Sequence, residues 1–362
     1  MIKKIIKGVV WALVIGLVVF ILWPPEKYEP YQVTPEYQAQ IDAFYIPPMP
    51  NGWKYEKYVT RDFVKIRIGK GPVNPNAKAT LILMPGFTGL LDQYGEQLSH
   101  WQSKGFNVAG IDIRGQGGSD RPLKFNPEKS WVNDFSVYAE DIAEILDAEF
   151  SDTNAPIVMI GQSFGAHVAY RTVAAHDTDV AGLLLTVPAF RPNTGETPYG
   201  AAKFLYRLSQ LTGKTDRYAP GASNWRPDVQ DLTQKIPCSS EPKRIYLRDA
   251  MYVKDPSLRM GSATYQWFGQ LMLSGEKMIT PEWSSKIDVP VTMLLAENDT
   301  IVINDPAIEV CNDIGSCEYK IIEASGHCVL QENDQILQQV YDSVDQLVAK
   351  LGSSTAVLPA AQ

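Results

Sequence analysis

The sequence predicts an α/β fold with a doubly wound, mostly parallel sheet. Apolar runs of strand length alternate with helical patterns through most of the 362 residues, as in sheets whose parallel strands are joined by helices. One run, Ile157 to Ile160, leads directly into Gly161-Gln162-Ser163-Phe164-Gly165 and a helical pattern. A long interval over residues 191–285 then breaks the strand spacing. These observations predict one α/β core that carries a large insertion.

The first segment has the composition of a membrane anchor. Lys3, Lys4 and Lys7 precede an uncharged apolar stretch over residues 8–23, which Pro24-Pro25 ends. As a helix it would be roughly 24 Å long, slightly less than a hydrocarbon core of about 30 Å. A cleaved signal peptide is the alternative, but no small-x-small cleavage site follows the stretch. We expect residues 1–25 to be a single-pass anchor with a cytoplasmic N-terminus, which places the main domain on the extracytoplasmic (periplasmic) side.

Residues 26–55 carry many prolines and tyrosines without a sustained helical period. We expect them to form a stalk that packs partly on the domain. The core would then occupy residues 56–190 and 286–352, followed by a loose tail over residues 353–362. The net charge of -8 and the pI near 5.2 argue against a nucleic-acid partner. The oligomeric state is left open.

The predicted strands of the core are apolar runs flanked by turn signals. They are Thr80 to Met84, Phe106 to Ile111, Ile157 to Ile160, Gly182 to Val187 and Val291 to Leu295, followed by a strand-like Tyr319 to Ile322. The insertion over residues 191–285 is rich in aromatic residues and predicts a mainly helical cap. Most of its aromatics would form the core of the cap, and a minority could line an acyl-binding groove, because such an insertion lies at the carboxyl edge of the sheet.

The chain has four cysteines, Cys238, Cys311, Cys317 and Cys328, which are compatible with an oxidising compartment. Cys311 and Cys317 are close enough in sequence to close a small loop, and we expect a disulfide there. A zinc site formed by Cys311, Cys317, His327 and Cys328 is the alternative. It would lack a paired C-x2-C unit and would commit two adjacent residues to one ion, so we expect no metal.

Ser163 has the sequence context of a nucleophile. A G-x-S-x-G motif between a strand and a helix places the serine on a strained turn, where its hydroxyl stands clear of the backbone. Such a serine needs a histidine to take its proton and a carboxylate to hold the tautomer of that histidine. His327 follows the last strand-like run on a loop, where it could reach back to the serine. The other histidines are more simply explained by surface or packing roles: His100, His167 and His176.

The carboxylate that orients His327 should follow another strand, the one that comes in the chain just before the strand leading to His327. Asp299 is the best choice after Val291 to Leu295, and Glu297 is the reserve. The resulting order of Ser163, Asp299 and His327 is the serine, acid, histidine order of α/β-hydrolases. Three roles in this order are a stronger signal than the G-x-S-x-G motif alone.

Acyl transfer also needs hydrogen-bond donors for the developing oxyanion. These are usually the amide after the nucleophile and one from the loop after the third strand. The backbone N–H groups of Phe164 and Phe87 occupy those places, and Gly86 would let the second loop turn toward the substrate carbonyl.

The segment Asp112 to Asp120 resembles a phosphate loop at first sight, but it lacks the G-x-G-x-x-G register. We therefore expect no nucleotide or other cofactor. Asp112 and Arg114 are expected to brace the loop end of the sheet.

Together, Pro85-Gly86-Phe87, the Asp112 segment, the Ser163 turn, Asp299 and Gly326-His327 resemble the monoglyceride lipase and lysophospholipase L2 group of the α/β-hydrolase serine hydrolases, which is S33 serine aminopeptidase-like. The likeness covers most of residues 55–350. Within the cap, residues 238–244 and 261–267 look like the lysophospholipase L2 pattern in particular. The resemblance implies hydrolysis of the acyl ester of a monoacyl lipid.

Two positions depart from this resemblance. The family usually has His before the glycine of the oxyanion loop, where this chain has Pro85, and it usually has Glu after the catalytic histidine, where this chain has Cys328. Neither change removes a catalytic role, but both reshape the rim of the site.

The sequence favours a membrane-anchored serine esterase that cleaves a lysophospholipid or monoacylglycerol through an acyl-enzyme, with Ser163 attacking, His327 moving the proton and Asp299 orienting the imidazole. A second hypothesis is a serine peptidase resembling proline iminopeptidases, which would need acidic groups to bind a free α-amino group. A third is a catalytically silent hydrolase fold that serves as a scaffold and would need no triad.

Overall fold

The computed structural model describes residues 27–354, together with Trp11 and Pro24. Apart from those two residues, the anchor predicted over residues 1–25 lies outside the described part, as does the tail beyond residue 354. Between residues 27 and 354, no helix is both long enough and apolar enough to cross a membrane.

A single sheet of eight strands forms the centre of the domain. The strands in chain order are β1 (Lys54–Val59), β2 (Lys65–Lys70), β3 (Thr80–Met84), β4 (Asn107–Ile111), β5 (Ile157–Gln162), β6 (Val180–Thr186), β7 (Val291–Ala296) and β8 (Cys317–Ile322). Across the sheet they lie in the order β1-β2-β4-β3-β5-β6-β7-β8. β2 is antiparallel to both β1 and β4, and the other pairs are parallel. The predicted mostly parallel sheet is confirmed.

Strands that are buried on both faces could be predicted from the sequence, and an exposed strand could not. β3, β5 and β7 are buried along their whole length, because helices cover both faces of a parallel sheet and leave no polar face. β1 is exposed at nearly every position and has no apolar run. β1 and β2 form an antiparallel edge that no apolar run in the sequence indicates.

Helices surround the sheet and build the cap. In chain order they are α1 (Pro35–Asp42), α2 (Gly95–Ser103), α3 (Ser136–Phe150), α4 (Phe164–Ala175), α5 (Tyr199–Leu211), α6 (Pro242–Ile245), α7 (Leu247–Lys254), α8 (Tyr265–Met278), α9 (Pro281–Ser284), α10 (Asp305–Asp313) and α11 (Asp334–Ser354). The helices α5 to α9 all lie between β6 and β7 in the chain, in the interval for which the sequence predicts a cap.

The segment for which the sequence predicts a stalk contains α1, which packs on the cap. Thr34 caps this helix by accepting a hydrogen bond from the Tyr37 N–H at 3.2 Å. Tyr37 and Ile41 are fully buried and belong to a second hydrophobic core, together with Trp225 and Tyr252 of the inserted interval. The residues before β1 therefore contribute to the core of the cap.

Both pairs of cysteines form disulfides. Cys311 and Cys317 are joined at the end of α10, as expected. The second disulfide, between Cys238 in the cap and Cys328, links residues 90 positions apart and was not foreseen. No cysteine of the described chain is left as a free thiol, so the alternative zinc site has lost its ligands.

Candidate active site

Ser163 lies on a sharp turn between β5 and α4. Its backbone has φ +54° and ψ −111°, a strained conformation for a residue with a side chain. A Cβ at Gly161 would lie 2.5 Å from the Ala166 backbone, and one at Gly165 would lie 2.2 Å from the Met84 carbonyl oxygen. Glycine is required at both positions for the strand, turn and helix to pack this closely.

His327 and Asp299 form a hydrogen-bonded pair beside this turn. His327 Nδ1 lies 2.8 Å from Asp299 Oδ2, and the two side chains are 8% and 1% exposed. The other carboxylate oxygen, Oδ1, accepts the N–H groups of Ile301 and Val302 at 2.8 and 2.9 Å. A proton on Nδ1 leaves Nε2 as the atom able to accept another proton.

Glu297, the reserve candidate, has a different partner. Its Oε2 accepts the Ala324 N–H at 2.8 Å, so it holds the loop that precedes His327. Asp299 is the carboxylate that contacts the imidazole.

The remaining histidines have the packing and surface positions expected of them. His167 is fully buried, with Nδ1 2.8 Å from the Ala189 carbonyl oxygen and Nε2 2.8 Å from Ser274 Oγ. Burial lowers the pKa of His167 to about 3, so this imidazole is neutral. His100 stacks on Tyr341, with ring centroids 3.7 Å apart. His176 follows the last residue of α4.

The two proposed oxyanion donors lie next to Ser163. Phe164 is the first residue of α4, so its N–H is one of those that a helix leaves without an internal acceptor. Within the described residues, the Phe87 N–H also makes no hydrogen bond. A Cβ at Gly86 would lie 3.2 Å from the Gln162 carbonyl oxygen and 3.4 Å from Ser163 Cβ. Gly86 therefore lets the Phe87 loop lie directly against the serine.

Trp267 of α8 supports both donor residues from the cap. Its ring stacks on Phe87 with centroids 3.9 Å apart and contacts Phe164 edge to face at 5.1 Å. Its Nε1 donates a hydrogen bond to the Tyr138 hydroxyl at 3.1 Å, which fixes the indole. The sequence places Trp267 among the aromatics of the cap but gives no sign of this contact.

The loop that carries His327 is fastened to the cap by the second disulfide and by a buried carboxylate. Beside the Cys238–Cys328 bond, the Cys328 N–H donates to the Cys238 carbonyl oxygen at 2.7 Å. The carboxylate of Glu332 accepts the Gly326 N–H at 3.1 Å and the Ser240 hydroxyl at 2.6 Å. These contacts join residues on both sides of His327 to the cap segment, and no short sequence motif marks Glu332 for this role.

Ser163 and His327 line one cavity of about 210 Å³. The Phe87 loop, Ile301 after the acid, and Ile245 and Arg248 of the cap complete its wall. Arg248 is the only lining residue in the described chain that carries a permanent charge. The cavity is therefore mostly uncharged and contains one cationic group.

Asp112 and Arg114 brace the loop end of the sheet, as the sequence predicts. Asp112 is fully buried and accepts the N–H groups of Leu91 and Gly118 at 2.9 and 2.8 Å. Arg114 donates to Asp62 and Asp141 at distances of 2.6 to 2.8 Å. The side-chain polar atoms of Asp112 and Arg114 therefore form hydrogen bonds with other groups of the protein.

The strand order, the turn at Ser163 and the Asp299–His327 pair define an α/β-hydrolase. More specifically, the chain belongs to the family described as "Serine aminopeptidase, S33", which matches residues 75–334.

Curated relatives include lysophospholipases. Over 307 residues, the chain is 24% identical to lysophospholipase L2 of Escherichia coli K12, covering 83% of this chain and 86% of the relative. It is also 24% identical over 276 residues to a probable lysophospholipase L2 of Haemophilus influenzae, covering 74% of this chain and 83% of the relative.

Among solved structures, a soluble variant of monoglyceride lipase from Saccharomyces cerevisiae aligns with a TM-score of 0.65 at 16% identity, over 91% of this chain and 99% of that one. At this identity, the likeness concerns the fold. With the family match and the curated relatives, the chain is a lysophospholipase- or monoacylglycerol lipase-like α/β hydrolase at the level of the family.

Proposed function

We propose that the protein is a serine esterase that hydrolyses the acyl ester of a monoacyl lipid, either a lysophospholipid or a monoacylglycerol. The observation that carries this proposal is the Asp299–His327 hydrogen bond of 2.8 Å beside the cavity that Ser163 lines. The pair supplies an oriented base, and the strained turn supplies a hydroxyl for it to activate.

The proposed reaction has two halves. Ser163 Oγ attacks the ester carbonyl and gives its proton to His327 Nε2, while Asp299 stabilises the imidazolium. The N–H groups of Phe87 and Phe164 bind the oxyanion, and the glycerol oxygen leaves with the proton from His327. Water then attacks the acyl-enzyme with His327 as the base, which releases the fatty acid and restores the serine.

A lipid substrate is supported by the named lipases and lysophospholipases among the relatives. The anchor predicted over residues 1–25 would hold the enzyme at a bilayer, where such substrates reside. We propose a single-pass protein with its catalytic domain on the extracytoplasmic side. The two disulfides of the domain support that side, because such bonds persist in oxidising compartments.

The two other hypotheses have less support. A peptidase that binds a free α-amino group needs an unpaired acidic group in its cavity, whereas the permanent charge on the cavity wall belongs to Arg248. A silent scaffold has no need of an ordered acid–histidine pair beside a strained serine.

The test compares the full chain with Ser163→Ala, using Ser285→Ala as a control on the exposed end of the cap. Fatty acid released from lysophosphatidylcholine and from a monoacylglycerol is quantified, and a fluorophosphonate probe reports on the nucleophile. We expect Ser163→Ala to lose at least about 10⁴-fold in kcat and all labelling, because the nucleophile and its base act as a unit. Full activity of Ser163→Ala, or release of proline from an aminoacyl reporter without release of fatty acid, would refute the proposal.

A further inference from the structure

Arg248 extends from α7 of the cap to the cavity that contains Ser163. Its Nε and Nη2 both donate to Asp249 Oδ1 at 3.2 Å, and Nη2 also donates to Asp228 Oδ2 at 2.8 Å. Its Nη1 donates to Thr88 Oγ1 at 3.1 Å. Although burial disfavours the charge, Asp249 and Asp228 hold the pKa of the guanidinium above its ordinary value, so Arg248 is a fixed cation.

The two carboxylates differ in how firmly they hold this cation. Asp249 is buried and also accepts hydrogen bonds from Trp225 Nε1 and the Tyr37 hydroxyl, which lock it in place. The side chain of Asp228 is 50% exposed. Because exposed ion pairs contribute little free energy, an anion in the cavity can compete with Asp228 for Arg248.

Arg248 and Thr88 each keep a donor that no described residue accepts. A guanidinium has five N–H groups, and the contacts of Arg248 use Nε, both hydrogens of Nη2 and one of Nη1, which leaves one Nη1–H. The Thr88 oxygen accepts from Arg248, so its own proton is free to be donated. Within the described residues, no acceptor for the Thr88 hydroxyl is found. Both residues line the cavity.

These donors lie one residue from the proposed oxyanion site, because Thr88 directly follows Phe87. In a lysophospholipid, the ester carbonyl carbon and the phosphorus are joined through a glycerol backbone. At the rise per bond of an extended chain, they are separated by on the order of 7 Å. A substrate whose carbonyl oxygen meets the Phe87 N–H can therefore place its phosphate beside Thr88 and Arg248.

We propose that Arg248 and Thr88 bind the phosphate of a lysophospholipid and make this substrate preferred over a monoacylglycerol with the same acyl chain. The proposal rests on the proposed function. A monoacylglycerol has no anion at this position, so it gains nothing from the guanidinium. Charge-assisted hydrogen bonds between Arg and phosphate are among the strongest polar contacts that a site can offer.

The experiment measures kcat/KM of the full chain on lysophosphatidylcholine and on the monoacylglycerol of the same acyl chain, both in neutral mixed micelles. The readout is the ratio of the two values. Arg248→Met removes the cation, and Arg226→Met is the matched control, since Arg226 is an exposed arginine of the cap outside the cavity wall. Asp228→Asn removes the competing carboxylate.

We expect Arg248→Met to lower the ratio about 10- to 100-fold, the range for losing a hydrogen bond to a charged group. Arg226→Met should leave the ratio unchanged. Asp228→Asn should raise it about two- to fivefold, because a carboxylate that competes with the phosphate is removed, and the rise is modest because Asp228 is half exposed. The Asp228 variant tests the proposal even if Arg248→Met fails to fold.

The outcomes separate this inference from the proposed function. If the wild type releases no fatty acid from either lipid, the proposed function fails and this inference fails with it. If the wild type cleaves both lipids but Arg248→Met lowers both kcat/KM values in proportion, Arg248 only positions the Thr88 loop and the phosphate site is refuted. If Asp228→Asn has the same ratio of kcat/KM values as the wild type, the phosphate site is refuted as well.

Discussion

The two disulfides close loops of very different length, so their removal should have different consequences. Cys238–Cys328 spans 90 positions and Cys311–Cys317 spans 6. A cross-link stabilises the fold mainly by removing loop-closure entropy from the unfolded chain. That relation gives about 4.6 kcal/mol for the long loop and about 2.2 kcal/mol for the short one at 25 °C. We predict that the double serine variant at positions 238 and 328 loses about 2.4 kcal/mol more unfolding free energy than the variant at 311 and 317.

The assay is urea unfolding of the two double variants and the wild type without reductant, followed by the intrinsic fluorescence of the tryptophans. The free energy of unfolding in water comes from linear extrapolation, and the slope with urea is compared among the three proteins. Esterase activity is measured in parallel. The variant at Cys238 and Cys328 should also lose activity because Cys328 adjoins His327, whereas the variant at Cys311 and Cys317 should keep it.

Equal losses of unfolding free energy, or a larger loss for the short loop, would refute the entropic reasoning. An unfolding intermediate that appears only without the long cross-link would refute it differently, by showing that the cap unfolds separately from the sheet. Unchanged activity in the variant at Cys238 and Cys328 would show that hydrogen bonds alone hold the His327 loop.

Two further predictions follow from buried side chains near the site. Trp267→Ala should lower kcat about 10- to 100-fold with a smaller effect on KM, because Phe87 and Phe164 lose the ring that positions their N–H groups. Trp267→Phe should recover most of that loss in the same steady-state assay, and an equal loss in both variants would contradict this role. Burial lowers the pKa of His167 from 6.5 to about 3, so between these values the unfolded chain binds a proton that the folded chain does not. Stability should therefore fall as the pH drops below 6.5, by up to about 1.4 kcal/mol per pH unit. His167→Gln should lose less unfolding free energy than the wild type between about pH 6.5 and 4.5. Parallel curves from urea unfolding would contradict this, because they would show that His167 takes up its proton equally in the folded and the unfolded state.

The sequence predicted the parts of the fold whose burial leaves a local pattern. β3 and β7 are buried on both faces, so their residues form continuous apolar runs. β1 and α1 leave no such pattern, since the strand is exposed and the helix buries few residues, Tyr37 and Ile41. The contact of α1 with the cap depends on tertiary packing, which local periodicity does not record.

The same distinction holds for the candidate site. The turn at Ser163 is specified by neighbouring residues, because glycines and a serine are needed at fixed positions in the chain. Asp299 and His327 were located by their places after predicted strands, and the structure brings them to 2.8 Å. Their catalytic roles stay a prediction. The partner of Cys328 lies 90 positions away, and a pairing of this kind cannot be deduced from spacing alone.

Three contacts of the cap meet two parts of the proposed machinery, the oxyanion loop and the His327 loop. Arg248 donates to Thr88 in the oxyanion loop, Trp267 stacks on Phe87, and the Cys238–Cys328 disulfide reaches the residue after His327. Two of these contacts can break and re-form within the lifetime of the protein, but the disulfide cannot under oxidising conditions. The cap therefore cannot swing away from the His327 loop as one rigid body.

Access of a lipid to Ser163 must come from motion of cap segments distant from Cys238, or along the existing cavity wall. The cap also holds the oxyanion loop and His327 in place. A substitution in the cap that alters substrate preference will therefore also affect these two parts of the site.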